Sequence, residues 1–273
     1  MAKNENLKIG IVGLGTVGSV LKHVLGFYYE VVGYDIVGKY DFGEILNTDI
    51  AFICVQTNIG TDGRLDCSHV TEVLNRLSDS NYLGVVVVRS TLSVGYMEFA
   101  TKAFNGLHLV YSPEFLRERS RMQWTVCPDR IVISGSEEDI KSVLKCFEWV
   151  EDAEVLVMDH RSAEIAKLAN NAFIATKVSF TNEMAAICRK LGGNSDSVMG
   201  VISTDRRVKS NEHLRPSMGA YGGKCLPKDV LELITAAENP PLLSAVHQVN
   251  EATKNNAIID DPKQSSSKMR SGL

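Results

Sequence analysis

Between residues 7 and 158 the chain alternates short apolar runs, such as Val85-Val86-Val87-Val88, with longer stretches in which apolar positions recur every three or four residues. The first pattern suits strands covered on both faces and the second suits helices with one face on a core, so together they predict parallel strands joined by crossover helices. The predicted strands cover residues 7–12, 31–34, 50–55, 85–89, 107–111, 130–134 and 154–158. An α/β fold built on a doubly wound sheet is the natural closure. The sheet is expected to be abbreviated after the second strand, because residues 35–49 are too few for a crossover helix plus a further strand.

From residue 160 to residue 191 the pattern becomes one proline-free helical stretch, about 48 Å long at 1.5 Å per residue. At 100° per residue Ile165, Leu168, Phe173, Ile174, Val178, Phe180, Met184 and Ile187 cover nearly every side of it. Much of this helix is therefore expected to be buried, by a second domain or a second subunit, and oligomerisation is expected. Gly192-Gly193 ends the helix, and shorter helices follow at 196–203, 228–238 and 241–255. The expected organisation is a sheet domain over 1–159, a central helical domain over 160–258 and a disordered polar tail over 259–273.

Composition narrows the partners. A chain of 273 residues with 44% hydrophobic content can bury a sizeable core. The net charge of -4 gives no basic face for nucleic acid or an anionic membrane. No apolar run reaches the roughly 20 residues of a membrane span, and the polar start is unlike a signal peptide, so a cytoplasmic location is expected. The six cysteines form no CxxC pair or Cys/His cluster, which argues against a metal site and a disulfide scaffold.

The first predicted strand runs into Gly13-Leu14-Gly15-Thr16-Val17-Gly18 and then a helix, the context in which this glycine spacing carries meaning. Gly13 permits the tight turn, Gly15 lets a pyrophosphate approach the backbone, and Gly18 lets helix and sheet pack closely. The second strand ends at Asp35, 22 residues after Gly13, where an acid binds a ribose 2′-hydroxyl and repels a 2′-phosphate. A Rossmann-like domain binding NAD rather than NADP is expected. The alternative, glycines used only for packing, would leave the acid at Asp35 a coincidence.

A nucleophile stands far downstream. Cys225 lies in Tyr221-Gly222-Gly223-Lys224-Cys225-Leu226-Pro227-Lys228-Asp229, after two glycines and before a proline that can open a helix. A thiol near a helix start and a lysine tends towards the thiolate, although the default reading of any cysteine is a small buried hydrophobe. A thiol beside a hydride acceptor suggests oxidation of an aldehyde through a thiohemiacetal and a thioester. Lys167 and Asn171, four apart on the long helix, are two donors that can stabilise an oxyanion at that carbon; the plain alternative is a Glu164–Lys167 surface pair. Glu114 follows a strand at its carboxyl end and is a candidate base, or only a turn residue after Pro113. Thr91, on the same sheet edge, can hold a water or the nicotinamide amide.

Taken in order, Gly13 to Gly18, Cys54-Val55-Gln56-Thr57-Asn58, Ser90-Thr91, Pro113-Glu114-Phe115-Leu116-Arg117-Glu118, Pro128-Asp129-Arg130, residues 167–173, Asp205-Arg206-Arg207-Val208, the Cys225 segment and residues 247–251 resemble the UDP-glucose/GDP-mannose dehydrogenase family, the nucleotide-sugar 6-dehydrogenases, over about residues 7–252. The resemblance implies oxidation of a sugar C6 alcohol to a carboxylate with NAD, most simply UDP-glucose to UDP-glucuronate. It implies Cys225 as nucleophile, Lys167 and Asn171 on the oxyanion, Asp229 with Thr91 and a water on the protons, and Glu114 in thioester hydrolysis. It also implies that Thr57, Glu118 and Lys228 lie along the NAD site. Phe115, Leu116, Arg117, Tyr221 and Gly222 would contact the sugar nucleotide, a homodimer would form through the long central helix, and Arg207 would reach the substrate of a neighbouring subunit.

The departures from that family are a missing third, nucleotide-gripping domain, a shorter segment after Asp35, Gln56 and Asn58 where prolines are usual, and Ser112 where asparagine is usual. Two competing readings follow. One is a remnant that binds NAD without turnover. The other is a two-electron dehydrogenase similar to the 6-phosphogluconate and 3-hydroxyisobutyrate enzymes, which use a helix lysine and asparagine but have no use for Cys225.

Overall fold

The structure, a computed structural model, describes residues 7–61, 63–116, 120–150, 152–209, 219–222 and 226–260, without the side chains of residues 228 and 256–260. The chain divides into two compact units, 1–171 and 172–273. In the first, strands β1 (Lys8–Val12), β2 (Glu30–Tyr34), β3 (Ile50–Ile53), β6 (Val85–Val88) and β7 (His108–Tyr111) form one parallel sheet in the order β2-β1-β3-β6-β7. Only the four-residue helix α2 (Gly43–Leu46) separates β2 from β3, so the sheet stops at β2 as the short connection predicts.

Two layers of helices cover the sheet, and the strands alternate between them with the two-residue period of a pleated strand. Val12, Ile53, Val86 and Val88 face the cluster holding Val70, Leu74 and Leu77 of α3 (Ser68–Asp79) and Met97 and Ala100 of α4 (Tyr96–Ala103). Ile9, Ile11, Phe52 and Val87 face Leu21 and Leu25 of α1 (Thr16–Leu25) and Ile140 and Val143 of α6 (Glu137–Leu144). Strands β8 (Arg130–Ile133) and β9 (Glu154–Val157) are parallel to each other but form their own two-stranded sheet. Its link to β7 is a single bridge between Tyr111 and Ser134, with both N–H to O distances 2.9 Å. A hairpin of two-residue strands, β4 (Asn58–Ile59) and β5 (Leu65–Asp66), was beyond sequence patterning, since two residues display no period.

Helix α7 (His160–Leu191) takes the predicted limits for local reasons. Asp159 accepts from the Ser162 N–H at 2.9 Å and caps its start, and Gly192, at φ 76°, leaves the helix in the left-handed region. Glu164 is fully buried and accepts from the Gly95 and Met97 N–H groups at 2.5 and 2.7 Å, so its carboxylate closes the N-terminus of α4. In the second unit Glu183 does the same for α11 (Pro241–Asp260), accepting from Leu242 and Leu243 at 2.7 and 2.9 Å. Met184 and Ile187 pack there with Ile234 of α10 (Leu226–Ala236) and Leu243. α5 (Arg121–Val126) and a 3-10 turn (Lys145–Phe147) in the first unit, with α8 (Ser195–Thr204) and the one-turn α9 (Arg206–Lys209) in the second, complete the described elements.

Within the chain every residue from Asn171 to Ser179 on α7 is exposed, with Phe173, Ile174 and Val178 at 49%, 53% and 56%. Apolar residues on all sides of a helix require cover but do not say whether the same chain supplies it.

His160 adds a pH-dependent element. Its ring lies 2.8 Å from the Ser134 hydroxyl, and burial depresses its pKa below the usual histidine value, outweighing the opposite pull of Glu164, Asp159 and Glu98. A depressed folded pKa means that the unfolded chain takes up the proton first, so this contribution is intact above about pH 6.5 and is lost as pH falls through the depressed value. Urea midpoints at pH 7.5 and 5.5 check this. The parent chain is expected to lose more on acidification than His160→Gln, and equal losses would remove His160 as the cause.

Candidate active site

The carboxyl ends of β1 and β3 flank the point where the strand order reverses, and a cleft of about 710 Å³ opens there. The glycine turn is built by contact. Gly13 has φ 90°, and a Cβ on it would stand 2.8 Å from the Cys54 backbone; a Cβ on Gly18 would collide with the Gly13 carbonyl oxygen. A Cβ on Gly15 meets nothing within 4 Å. Gly18 therefore serves packing, whereas Gly15 borders open space at the start of α1, where Thr16 and Val17 also line the cleft. No acidic side chain stands in the first turn of α1, so its N-terminus suits a pyrophosphate.

Asp35 is held by two backbone donors, Leu14 N at 2.6 Å on one carboxylate oxygen and Val37 N at 2.9 Å on the other. These bonds aim the acid at the cleft, leaving lone pairs for ribose hydroxyls. The Leu14 side chain itself packs on the core under α1. The turn, the open approach at Gly15 and the acid together fit a dinucleotide. Further along the cleft, the Thr57 hydroxyl donates to the Thr91 carbonyl at 2.7 Å and the Ser90 hydroxyl to the Val55 carbonyl at 2.6 Å, tying the ends of β3 and β6 together. The Cys54 thiol is buried there, which pushes its pKa up to about 12 and marks it as structural rather than reactive.

Glu114, past the end of β7, also lines the cleft. Lys167 of α7 donates to the Glu114 carbonyl at 2.6 Å and stands 3.1 Å from its carboxylate. The two side chains are only 5% and 16% exposed. The second Glu114 carboxylate oxygen accepts from Leu116 N at 2.5 Å. The Glu164–Lys167 surface pair is therefore overturned: Glu164 turns to α4 and Lys167 to Glu114. Phe115 lies beneath two cations, the Lys167 ammonium 5.2 Å and the Arg130 guanidinium 4.4 Å from its ring centre. Arg130 also donates to Asn170 at 2.9 Å, which ties the same turn of α7 to the sheet edge. Asn171, in contrast, is exposed.

Sequence reasoning gave no role to Arg89. Its Nε is enclosed with no hydrogen-bond partner among the described residues, and its nearest acceptor is the Ser112 hydroxyl at 3.4 Å. Burial pulls its pKa down, opposed by Cys54 and Glu114. Arg89 lines both the dinucleotide cleft and a second cavity of about 40 Å³ that also touches Phe115 and Arg130.

In the second unit, Asp229 lies exposed in the first turn of α10, and Arg207 grips Asp205 through Nε and a terminal nitrogen. The Tyr221 carbonyl accepts from Asn250 at 3.2 Å, and a Cβ on Gly222 would meet nothing within 4 Å. Arg117, Glu118, Cys225, the Lys228 side chain and residues 261–273 lie outside the described residues.

Residues 38–151 match the model of the UDP-glucose/GDP-mannose dehydrogenase family, NAD binding domain, and residues 161–252 match that family's central domain. The chain belongs to this family. Among similar members is the UDP-glucose 6-dehydrogenase of Rickettsia conorii, 32% identical over 228 residues, which are 79% of this chain and 52% of that protein. The UDP-glucose 6-dehydrogenase YwqF of Bacillus subtilis is 36% identical over 222 residues, 76% of this chain and 49% of that one. The solved ternary complex of GDP-mannose dehydrogenase from Pseudomonas aeruginosa superposes with a TM-score of 0.83 at 26% identity, covering 92% of this chain and 70% of that chain. The chain spans about half the length of the curated relatives it matches. NAD is the cofactor of this family's first domain, and the cleft here has the turn and acid it requires. Among the described residues no group of three or more His, Cys, Asp or Glu could hold a metal, and no helix is long and apolar enough to cross a membrane.

Proposed function

We propose that the chain oxidises the C6 alcohol of a nucleotide sugar to a carboxylate, with UDP-glucose as substrate and Cys225 as covalent nucleophile. The observation that carries this reading is the buried ion pair of Lys167 with Glu114, the latter lining the dinucleotide cleft. It puts a cationic donor and a carboxylate at the strand ends where such folds bind ligands.

When bound, NAD supplies a two-electron acceptor for hydride leaving the sugar carbon. Lys167, with Asn171 one turn on along α7, donates to the oxygen that becomes negative at that carbon. The Cys225 sulfur adds to the aldehyde carbon after the first oxidation, and its bond to that carbon persists as a thioester after the second. Glu114 takes a proton from the water that attacks the thioester; the carbon–sulfur bond then breaks and the thiolate leaves. Thr91 and Asp229 hold that water. One alcohol and one water thus lose two hydrides, taken by two NAD, and three protons, and become one carboxylate. Arg207, Tyr221 and Gly222 belong to the substrate side of this reading, as do Phe115 and Leu116, and Glu118 and Lys228 to the cofactor side.

A second copy of the chain covers the exposed apolar stretch around Phe173, Ile174 and Val178 in the same reading, and the mass in solution tests it. The deciding experiment offers UDP-glucose, UDP-N-acetylmannosamine and GDP-mannose with NAD and counts NADH. About two NADH per UDP-glucose are expected. One per sugar points to the two-electron reading, and none with any sugar to a binding remnant.

A further inference from the structure

A cation in the lining of the same cleft as Glu114 is unexplained by the reaction. Arg76, on α3, lines the same cleft as Asp35 but makes no ion pair among the described residues. It donates instead to the neutral Tyr34 hydroxyl at 2.8 Å. Its guanidinium carbon stands 3.8 Å from the centre of the Phe42 ring and 4.9 Å from that of Tyr34. The two rings themselves meet edge to face at 5.0 Å. The short connection after Asp35 is what allows this: it returns Phe42 to Tyr34 and gives Arg76 a buried aromatic floor.

Two apolar side chains beside it are equally unexplained. Ile36 and Val37 follow Asp35, line the cleft and are 82% and 79% exposed. Large aliphatic side chains left in water at the rim of a ligand cleft indicate an apolar, flat ligand surface.

We propose that Arg76 is the recognition surface for the purine base of the dinucleotide, the base stacking on the guanidinium on the side turned away from Phe42, with Ile36 and Val37 against the base. A guanidinium is planar and weakly hydrated, so it stacks on an aromatic ring in a way an ammonium cannot. A phosphate is the less favoured occupant, because Asp35 and Glu72 line the same cleft as Arg76, and Ile36 and Val37 offer an anion nothing. The base is thereby read by a residue of α3 and by two residues of the shortened connection. The proposal rests on the cleft binding NAD and is independent of which sugar is oxidised.

The test is binding, not turnover. Dissociation constants are measured for ADP-ribose, which carries the base, and for nicotinamide mononucleotide, which does not. Arg76→Leu is expected to weaken ADP-ribose about tenfold, the size of one base stack, and to leave nicotinamide mononucleotide within about twofold. Arg76→Lys is expected to resemble Arg76→Leu, because it keeps the charge and loses the plane. The double variant Ile36→Ser with Val37→Ser, at exposed positions that leave the core untouched, is expected to weaken ADP-ribose roughly threefold or more. Unchanged ADP-ribose binding in Arg76→Leu, equal weakening of both probes, or full affinity in Arg76→Lys would each overturn the proposal. Failure of the parent chain to bind either probe would overturn the NAD reading and this proposal with it, whereas binding of both without sugar oxidation would overturn only the catalytic reading.

Discussion

Lys167→Met is expected to lower folding stability by about 3–5 kcal/mol and to cut NADH formation by roughly 10²–10³-fold. The stability loss follows from burial. With side-chain exposures of 5% and 16%, the ammonium and the Glu114 carboxylate are both largely out of water, and removing the ammonium leaves the carboxylate charged, with the Leu116 N–H as its hydrogen-bond donor among the described residues and the Arg89 guanidinium as its opposing charge. An exposed pair would cost under about 1 kcal/mol, so the size of the effect separates the two cases. The double variant Lys167→Met with Glu114→Gln removes both charges and is expected to regain most of the stability while staying inactive. Denaturant midpoints and initial NADH rates measure the two effects. A single variant as stable as the parent would mean that the pair is solvated, and an active one would take Lys167 out of the chemistry.

Cys225→Ala is expected to reduce NADH formation with UDP-glucose on the order of 10³-fold or more, because no other group in the proposed reaction can carry the thioester. The alternatives make different demands. A two-electron alcohol dehydrogenase would lose almost nothing, and a binding remnant has no rate to lose. Among the other described thiols, Cys54 lines the dinucleotide cleft half-buried, and desolvation of its sulfur pushes its pKa up to about 12, which leaves it a poor nucleophile. Retained NAD binding by Cys225→Ala, read by titration, confirms that the variant is folded and assigns the loss to chemistry. A rate within tenfold of the parent would end the covalent reading.

The strands of the first unit were legible because each is buried on both faces, and a run such as Val85–Val88 has little other use in a soluble fold. The limits of α7 were legible because Asp159 and Gly192 carry local signals that operate whatever the rest of the chain does. The glycine turn was legible for the same reason: its backbone angles and close approaches are properties of a few adjacent residues. The separate β8–β9 sheet was not. Strand pattern specifies a pleated, covered segment but not which neighbour pairs with it, and here the partner edge is joined by one bridge.

The site divides along the same line. Glu114, Thr91 and Asp35 were placed by their position at strand ends, and all three line the cleft. Whether Lys167 would meet Glu164, three residues before it, or Glu114, 53 residues before it, could not be read from helical spacing, which allows the local pair. Arg76 and Arg89 gave no signal, and Arg130 stood in a family-like segment without a role, because an arginine on a helix or at a strand end is by default a solvated charge, and each acquires its meaning from a ring or a cavity supplied by another part of the chain.

Sequence alone therefore determined the α/β alternation, the dinucleotide turn with its acid, and the order of the chemical residues along the chain, since each depends on local geometry or on a period repeated within one element. Only tertiary structure decided that Lys167 is buried against Glu114, that residues 171–179 remain exposed in the single chain, and that Phe42 and Tyr34 hold Arg76 over the cleft. Burial and pairing between distant residues depend on which surfaces the folded chain brings together, and no periodicity along one segment contains that information.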